Sequence, residues 1–142
     1  MKITNILSIS GKSGLHELKS TKNNGIIVRN LEDDSVRFIS SRNHAFSMLE
    51  NITVYTQTDT IPLKEVFERM LANDGKVDLP HANGRTEDLR DYFLVVVPEH
   101  DVEKVYTSDI KKIIRWYSIL KEKDLLSSEE TPSDATEETS EA

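Results

Sequence analysis

Apolar residues recur at helical spacing over Ser108–Leu120, SDIKKIIRWYSIL, where Ile110, Ile113, Ile114, Tyr117 and Leu120 fall on one stripe. That stripe must be buried, so the run predicts the helix around which a core forms. Ser108 is the expected N-cap, with Asp109 suited to the positive end of the helix dipole. Leu63, Val66, Phe67, Met70 and Leu71 make a second stripe, with Pro62 in its first turn. Leu89, Phe93 and Val96 make a third behind a Thr86 cap, and Pro98 stops it, although YFLVVV suits a buried strand equally well by composition. Asp101 can cap one short turn carrying Val102, Val105 and Tyr106. With the long helix that follows, it has the outline of a helix-turn-helix.

Before Thr60 the period is two. Residues 3–9, Leu15–Thr21, Ile26–Val28, Val36–Ser40 and Asn51–Thr56 read as short strands, with an irregular passage at Ser41–Glu50. Asn23-Asn24-Gly25 between two such runs signals a hairpin. Five short strands without a crossover helix imply a small antiparallel SH3-like β-barrel. The expected fold class is therefore α+β: an SH3-like barrel over residues 1–58, a small helix-turn-helix-like helical domain over 59–126, and a disordered acidic tail over 127–142.

The net charge of -7 changes meaning once it is divided along the chain. Residues 1–59 carry seven Lys/Arg against six Asp/Glu, residues 60–126 eleven against thirteen, and residues 127–142 none against six. The body is nearly neutral. Cysteine is absent, which excludes disulfides, zinc–thiolate sites, iron–sulfur clusters and thiol nucleophiles. Neither a signal peptide nor a membrane-spanning run is legible, so the protein is expected to be cytoplasmic and off the membrane.

Candidate chemistry is thin. Gly11-Lys12-Ser13 imitates the end of a phosphate-binding loop, but the glycine needed five residues earlier is Ile6. His16-Glu17 begins an HExxH motif whose second ligand position is Ser20, and an exposed strand residue is the expectation for His16. Glu99-His100-Asp101 gathers ligand types in one loop, where three adjacent residues seldom converge on a metal. No metal, cofactor or catalytic residue is expected. An enzyme would need a pocket drawn from distant residues such as His16, His44 and Asp59.

The candidate partner-binding residues are Lys111, Lys112, Arg115, Trp116 and Ile119 on the principal helix. Lys111 and Arg115 sit opposite the isoleucine stripe, and Lys112 lies beside Trp116 and Ile119 on its flank. Packing of Trp116 and Ile119 against the barrel or a neighbouring helix is the simpler expectation for that flank. The tail adds solubility by like-charge repulsion, or folds back over the cationic strip or over Lys12, Lys19 and Lys22 and competes with an anionic partner.

LSISGKSGL at 7–15, NITVYT at 51–56, PLKEV at 62–66 and VYTSDIKKIIRWYSIL at 105–120 together resemble a family of small, uncharacterised two-domain proteins from Bacteroidetes. The resemblance spans roughly residues 3–126. It implies an SH3-like barrel followed by a small helical domain and implies no activity. The chain departs from it at Arg29, where an acidic residue is expected. The functional expectation is a non-catalytic cytoplasmic adaptor that presents a surface to a protein partner. The alternative is a nucleic-acid-associated regulator using Lys111, Lys112 and Arg115.

Overall fold

A computed structural model describes residues 3–12 and 14–126. The tail expected to be disordered, 127–142, lies outside these residues.

The first half is an antiparallel sheet of β1 (Ile6–Ile9), β2 (His16–Lys22), β3 (Gly25–Asn30), β4 (Val36–Ser40) and β5 (Phe46–Met48), in the order β4-β3-β2-β1-β5. A meander thus runs across four strands, and the fifth returns to the first. The sheet does not close into a barrel. β5 pairs with β1 and not with β4, so β4 and β5 are the two edges. β5 lies in the passage read as irregular, because three residues are too few to display a period of two.

Alternation along the strands gives the sheet two apolar faces. Leu7, Ile9, Ile26, Val28 and Ile39 cluster on one face with Leu18, Phe46 and Met48 around them. Ile6 points the other way and joins Leu15, Leu31 and Leu49 in the core of the second half. Glu17 and Arg29 are register partners across β2 and β3. The Nε and Nη2 of Arg29 donate to Glu17 Oε1 at 3.1 and 2.8 Å, and Nη1 donates to Asp34. The residue that departs from the family pattern therefore has two acidic partners here.

A 3-10 turn at Leu49–Asn51 leads to a separate hairpin of β6 (Thr53–Tyr55) and β7 (Thr60–Pro62). The run expected to complete the barrel is thus half of another hairpin, and Val54 faces the helical core. β7 occupies the start expected for the first helix. Pro62 is extended (φ -66°, ψ 146°) and precedes α1 (Leu63–Ala72) rather than sitting inside its first turn.

YFLVVV resolves as helix up to Val96, and Val97 leaves it. α2 (Thr86–Val96) buries Leu89, Tyr92, Phe93 and Val96, a stripe a strand would have split between two faces. The short turn before the principal helix forms at 101–104, where Asp101 Oδ1 accepts from the N–H groups of Glu103 and Lys104 at 2.9 and 3.2 Å. That turn is not a helix, and residues 97–106 separate α2 from α3 (Thr107–Glu122). α3 begins one residue before the expected cap. Asp109 reaches back to accept from the Tyr106 N–H at 3.0 Å, satisfying an end that Ser108 was expected to cap.

The expected stripe of α3 is buried throughout, and Ile119 is buried with it. At its end Asp124 takes φ 58°, Leu125 N–H donates to Leu120 O at 2.9 Å and Asp124 N–H to Lys121 O at 3.1 Å. This is a Schellman motif. It turns the chain back so that Leu125 and Leu126 pack on the core.

α1 is tied to the segment after α2 by Arg69. Its guanidinium holds Glu65 at 2.7 Å and Glu99 at 2.9 Å, which drives the Arg69 pKa up, the bond to Glu99 contributing most.

Candidate binding groove

The turn after β1, the β6 strand and the N-terminal half of α3 enclose a groove of about 550 Å³. Its floor is apolar, with Ile52, Val54, Val105 and Ile113. Its rim is cationic, with Lys12, Lys104, Lys112 and Arg115 facing a single carboxylate, that of Asp109. Asp109 is already committed to the start of α3. None of the four cations is ion-paired among the described residues. Lys104 Nζ lies 5.3 Å from the centre of the Tyr55 ring, and Arg115 Nη2 donates to Asn83 Oδ1 at 3.3 Å. Charges held beside an apolar floor keep a stronger field than fully solvated ones, so the groove favours an anionic ligand that also carries apolar groups.

Gly11 sits at φ +79° in the turn beside Lys12, a conformation that a residue with a Cβ rarely adopts. The Gly11-Lys12 segment is a connection between strands, as its incomplete phosphate-loop pattern implies. Lys12 N–H donates to Ile9 O at 3.0 Å.

The groove unites Lys112, Arg115 and Trp116 from the residues singled out on the helix. Lys111 does not line it, and Ile119 is buried in the core. Trp116 is half-buried: it packs on the core and also lines the groove. Lys104 is the contributor that sequence reasoning missed, and Lys12, grouped there with Lys19 and Lys22, stands instead with the α3 cations. Both lie in connecting segments, Lys12 a hundred residues before Lys112 and Lys104 in the turn just ahead of α3, and no helical or strand period pairs either with α3.

The other candidates separate. Glu99 pairs with Arg69, His100 is fully buried with Nδ1 2.7 Å from Val97 O, and Asp101 caps its own turn, so these three neighbours serve three different places. No group of three or more His, Asp or Glu among the described residues is placed to hold a metal ion. His44 Nδ1 lies 2.8 Å from Ser10 O, and Asp59 N–H donates to Thr56 Oγ1 at 2.9 Å.

His16 is buried rather than exposed. It stands opposite Leu7 and Asn30 in the sheet, its Nδ1 has no partner among the described residues, and its Nε2 lies 3.4 Å from the Asn30 amide nitrogen. Burial lowers its pKa, Lys12 adds to the depression, and Asp33 and Glu32 oppose it. The unfolded chain therefore binds this proton more readily. The His16 contribution is fully present above its unfolded value of about 6.5 and is lost as pH falls through that value toward the lower folded one. Urea midpoints of the wild type should decline from pH 7.5 to 5, and His16→Leu should flatten that decline. Equal slopes in the two proteins would remove His16 as the cause.

Two family models match the chain: Domain of unknown function (DUF5606) over residues 3–49 and Domain of unknown function (DUF6852) over residues 52–120. They meet at the 3-10 turn between the five-stranded sheet and the β6–β7 hairpin. A protein from Bacteroides vulgatus with a solution NMR structure is 30% identical, with 90% of each chain covered and a TM-score of 0.70. The chain belongs to the family of that protein. The resemblance read from residues 7–15, 51–56, 62–66 and 105–120 falls almost wholly within the two matched stretches. None of the curated proteins matches. Among the described residues, no helix is long and apolar enough to cross a membrane.

Proposed function

We propose that this protein is a non-catalytic cytoplasmic adaptor whose groove receives an extended, acidic and partly apolar segment of a protein partner. One observation carries the reading: four cations without ion-pair partners among the described residues surround an apolar floor at the junction of the sheet and α3. An acidic side chain would meet the rim while an apolar neighbour covers Ile113 and Val105, and Trp116 supplies a large surface at the contact. In this reading the sheet half is an SH3-like unit. Support comes from the return of β5 to β1 at the end of a four-strand meander, and from the small core on one face of that sheet.

Trp116 beside Lys112 and Arg115 also motivates the second reading, a nucleic-acid-associated regulator that stacks a base on the indole, with the 101–104 turn and α3 as its helix-turn-helix-like part. The Asp109 carboxylate in the same groove and the position of Lys111 outside it favour the first.

Trp116 is the chain's one tryptophan and reports on the groove directly. Titration with a peptide alternating Glu and Leu should shift its emission and saturate. Lys112→Glu with Arg115→Glu should weaken that peptide at least ~10-fold, because each reversal replaces attraction by repulsion at the contact. A single-stranded oligonucleotide that binds with the same sensitivity to the double substitution, where the peptide does not bind, would transfer the assignment to the regulator. Binding of neither ligand would overturn both.

A further inference from the structure

Resting on the groove reading, we infer that the chain carries its own competitor for the groove: residues 127–142, with six carboxylates and no cation, compete with an acidic partner segment for Lys12, Lys104, Lys112 and Arg115. Charge complementarity is the first reason. The rim places four cations against the one committed carboxylate of Asp109, whereas the body as a whole is nearly neutral, so this is where an acidic strand gains most.

Reach is the second. Leu126 is the last described residue, and the Schellman motif at Asp124 has already turned the chain back onto the body. From Glu122 to Lys112 the helix rises about 15 Å at roughly 1.5 Å per residue. Sixteen further residues span up to about 50 Å when extended, well beyond that need.

The third reason concerns how firmly the tail holds. Its sequence, SSEETPSDATEETSEA, has no apolar side chain larger than proline to lay over Ile52, Val54, Val105 and Ile113. Its composition offers charge to the cations and little to the apolar floor. A partner segment bearing both acidic and apolar side chains therefore displaces it, while a segment that is merely acidic competes on equal terms. The tail thus acts as a weak internal occupant that raises the threshold for binding and selects for apolar content. A tethered competitor at an effective concentration of about a millimolar needs only comparably weak intrinsic affinity to reduce external binding several-fold.

The test uses the full chain with Glu129→Gln, Glu130→Gln, Asp134→Asn, Glu137→Gln, Glu138→Gln and Glu141→Gln combined, titrated with the Glu/Leu peptide and read by Trp116 emission. Neutralisation should tighten the peptide about 5-fold at low salt, and the difference should vanish at high salt, where the tail is screened from the rim. Iodide, an anionic quencher, should quench Trp116 more strongly in the neutralised chain than in the wild type. Unchanged peptide affinity and quenching, with Lys112→Glu and Arg115→Glu still weakening the peptide, would discard the tail while leaving the groove reading intact. Indifference of the peptide to both sets of substitutions would overturn the groove reading and this inference together.

Discussion

Phe93→Ala is expected to lower the unfolding free energy by about 3–5 kcal/mol, the range for truncating a fully buried aromatic residue. Phe93 is fully buried on α2, and its ring meets the ring of buried His100 edge-on, with centroids 4.8 Å apart and planes at 72°. The space left by the ring cannot close easily. α2 is held on α3 from one side, and the His100 segment is pinned by its bridge to Thr56 and by the bond from Asp101 N–H to Tyr55 O at 2.9 Å. The same core extends from Phe93 to Ile6, Leu15 and Leu31 of the sheet half, so the loss should appear in one cooperative transition. Urea unfolding followed by both far-ultraviolet dichroism and Trp116 emission checks this. A loss below about 1 kcal/mol would mean the cavity collapses, and two separated transitions would mean the halves unfold independently.

Gly25→Ala is the second large effect, with an expected cost of about 1–3 kcal/mol. At an ordinary strand position the change would be neutral or stabilising, because alanine leaves the unfolded chain less freedom. Gly25 is not ordinary. A Cβ there would run into the carbonyl oxygen of Ile39 on the neighbouring strand and stand 2.7 Å from Phe38 Cζ. The exposed ring of Phe38 lies against the glycine, which gives a large apolar side chain on an edge strand a contact of its own. Phe38→Ala combined with Gly25→Ala should recover only part of the loss, since the backbone oxygen cannot move aside as a ring can. A thermal midpoint of Gly25→Ala at or above wild type would refute the close approach.

The hairpin at this glycine was legible, but the role expected of the residue was different. Asn-Gly signals usually work through positive φ, yet Asn23, Asn24 and Gly25 all have negative φ. Lys22 pairs with Gly25 directly, so the glycine is the first residue of β3, and what it supplies is room for the neighbouring strand.

Elements with long periodic patterns were readable because each repeat adds to the same signal. α3 could be placed to within two residues at either end, and the stripes of α1 and α2 emerge as the buried residues of those helices. Leu71, at the end of its stripe, is only half-buried. β5 and β7, three residues each, have no period to read and exist because a partner strand is available. His16 looked like an exposed strand residue, and its burial follows from the face of β2 that the pairing with Leu7 selects.

What the amino-acid order determined by itself is local: three amphipathic helices, a meander of short strands, a nearly neutral body and an acidic end. Tertiary structure alone decided that the sheet stays open, that one core runs through both halves, and that Lys12 and Lys104 stand with Lys112 and Arg115 around one groove. The physical reason is range. Backbone propensity and hydrophobic period act over a few residues, whereas the position of a cation about a hundred residues away is set by which apolar faces bury against each other.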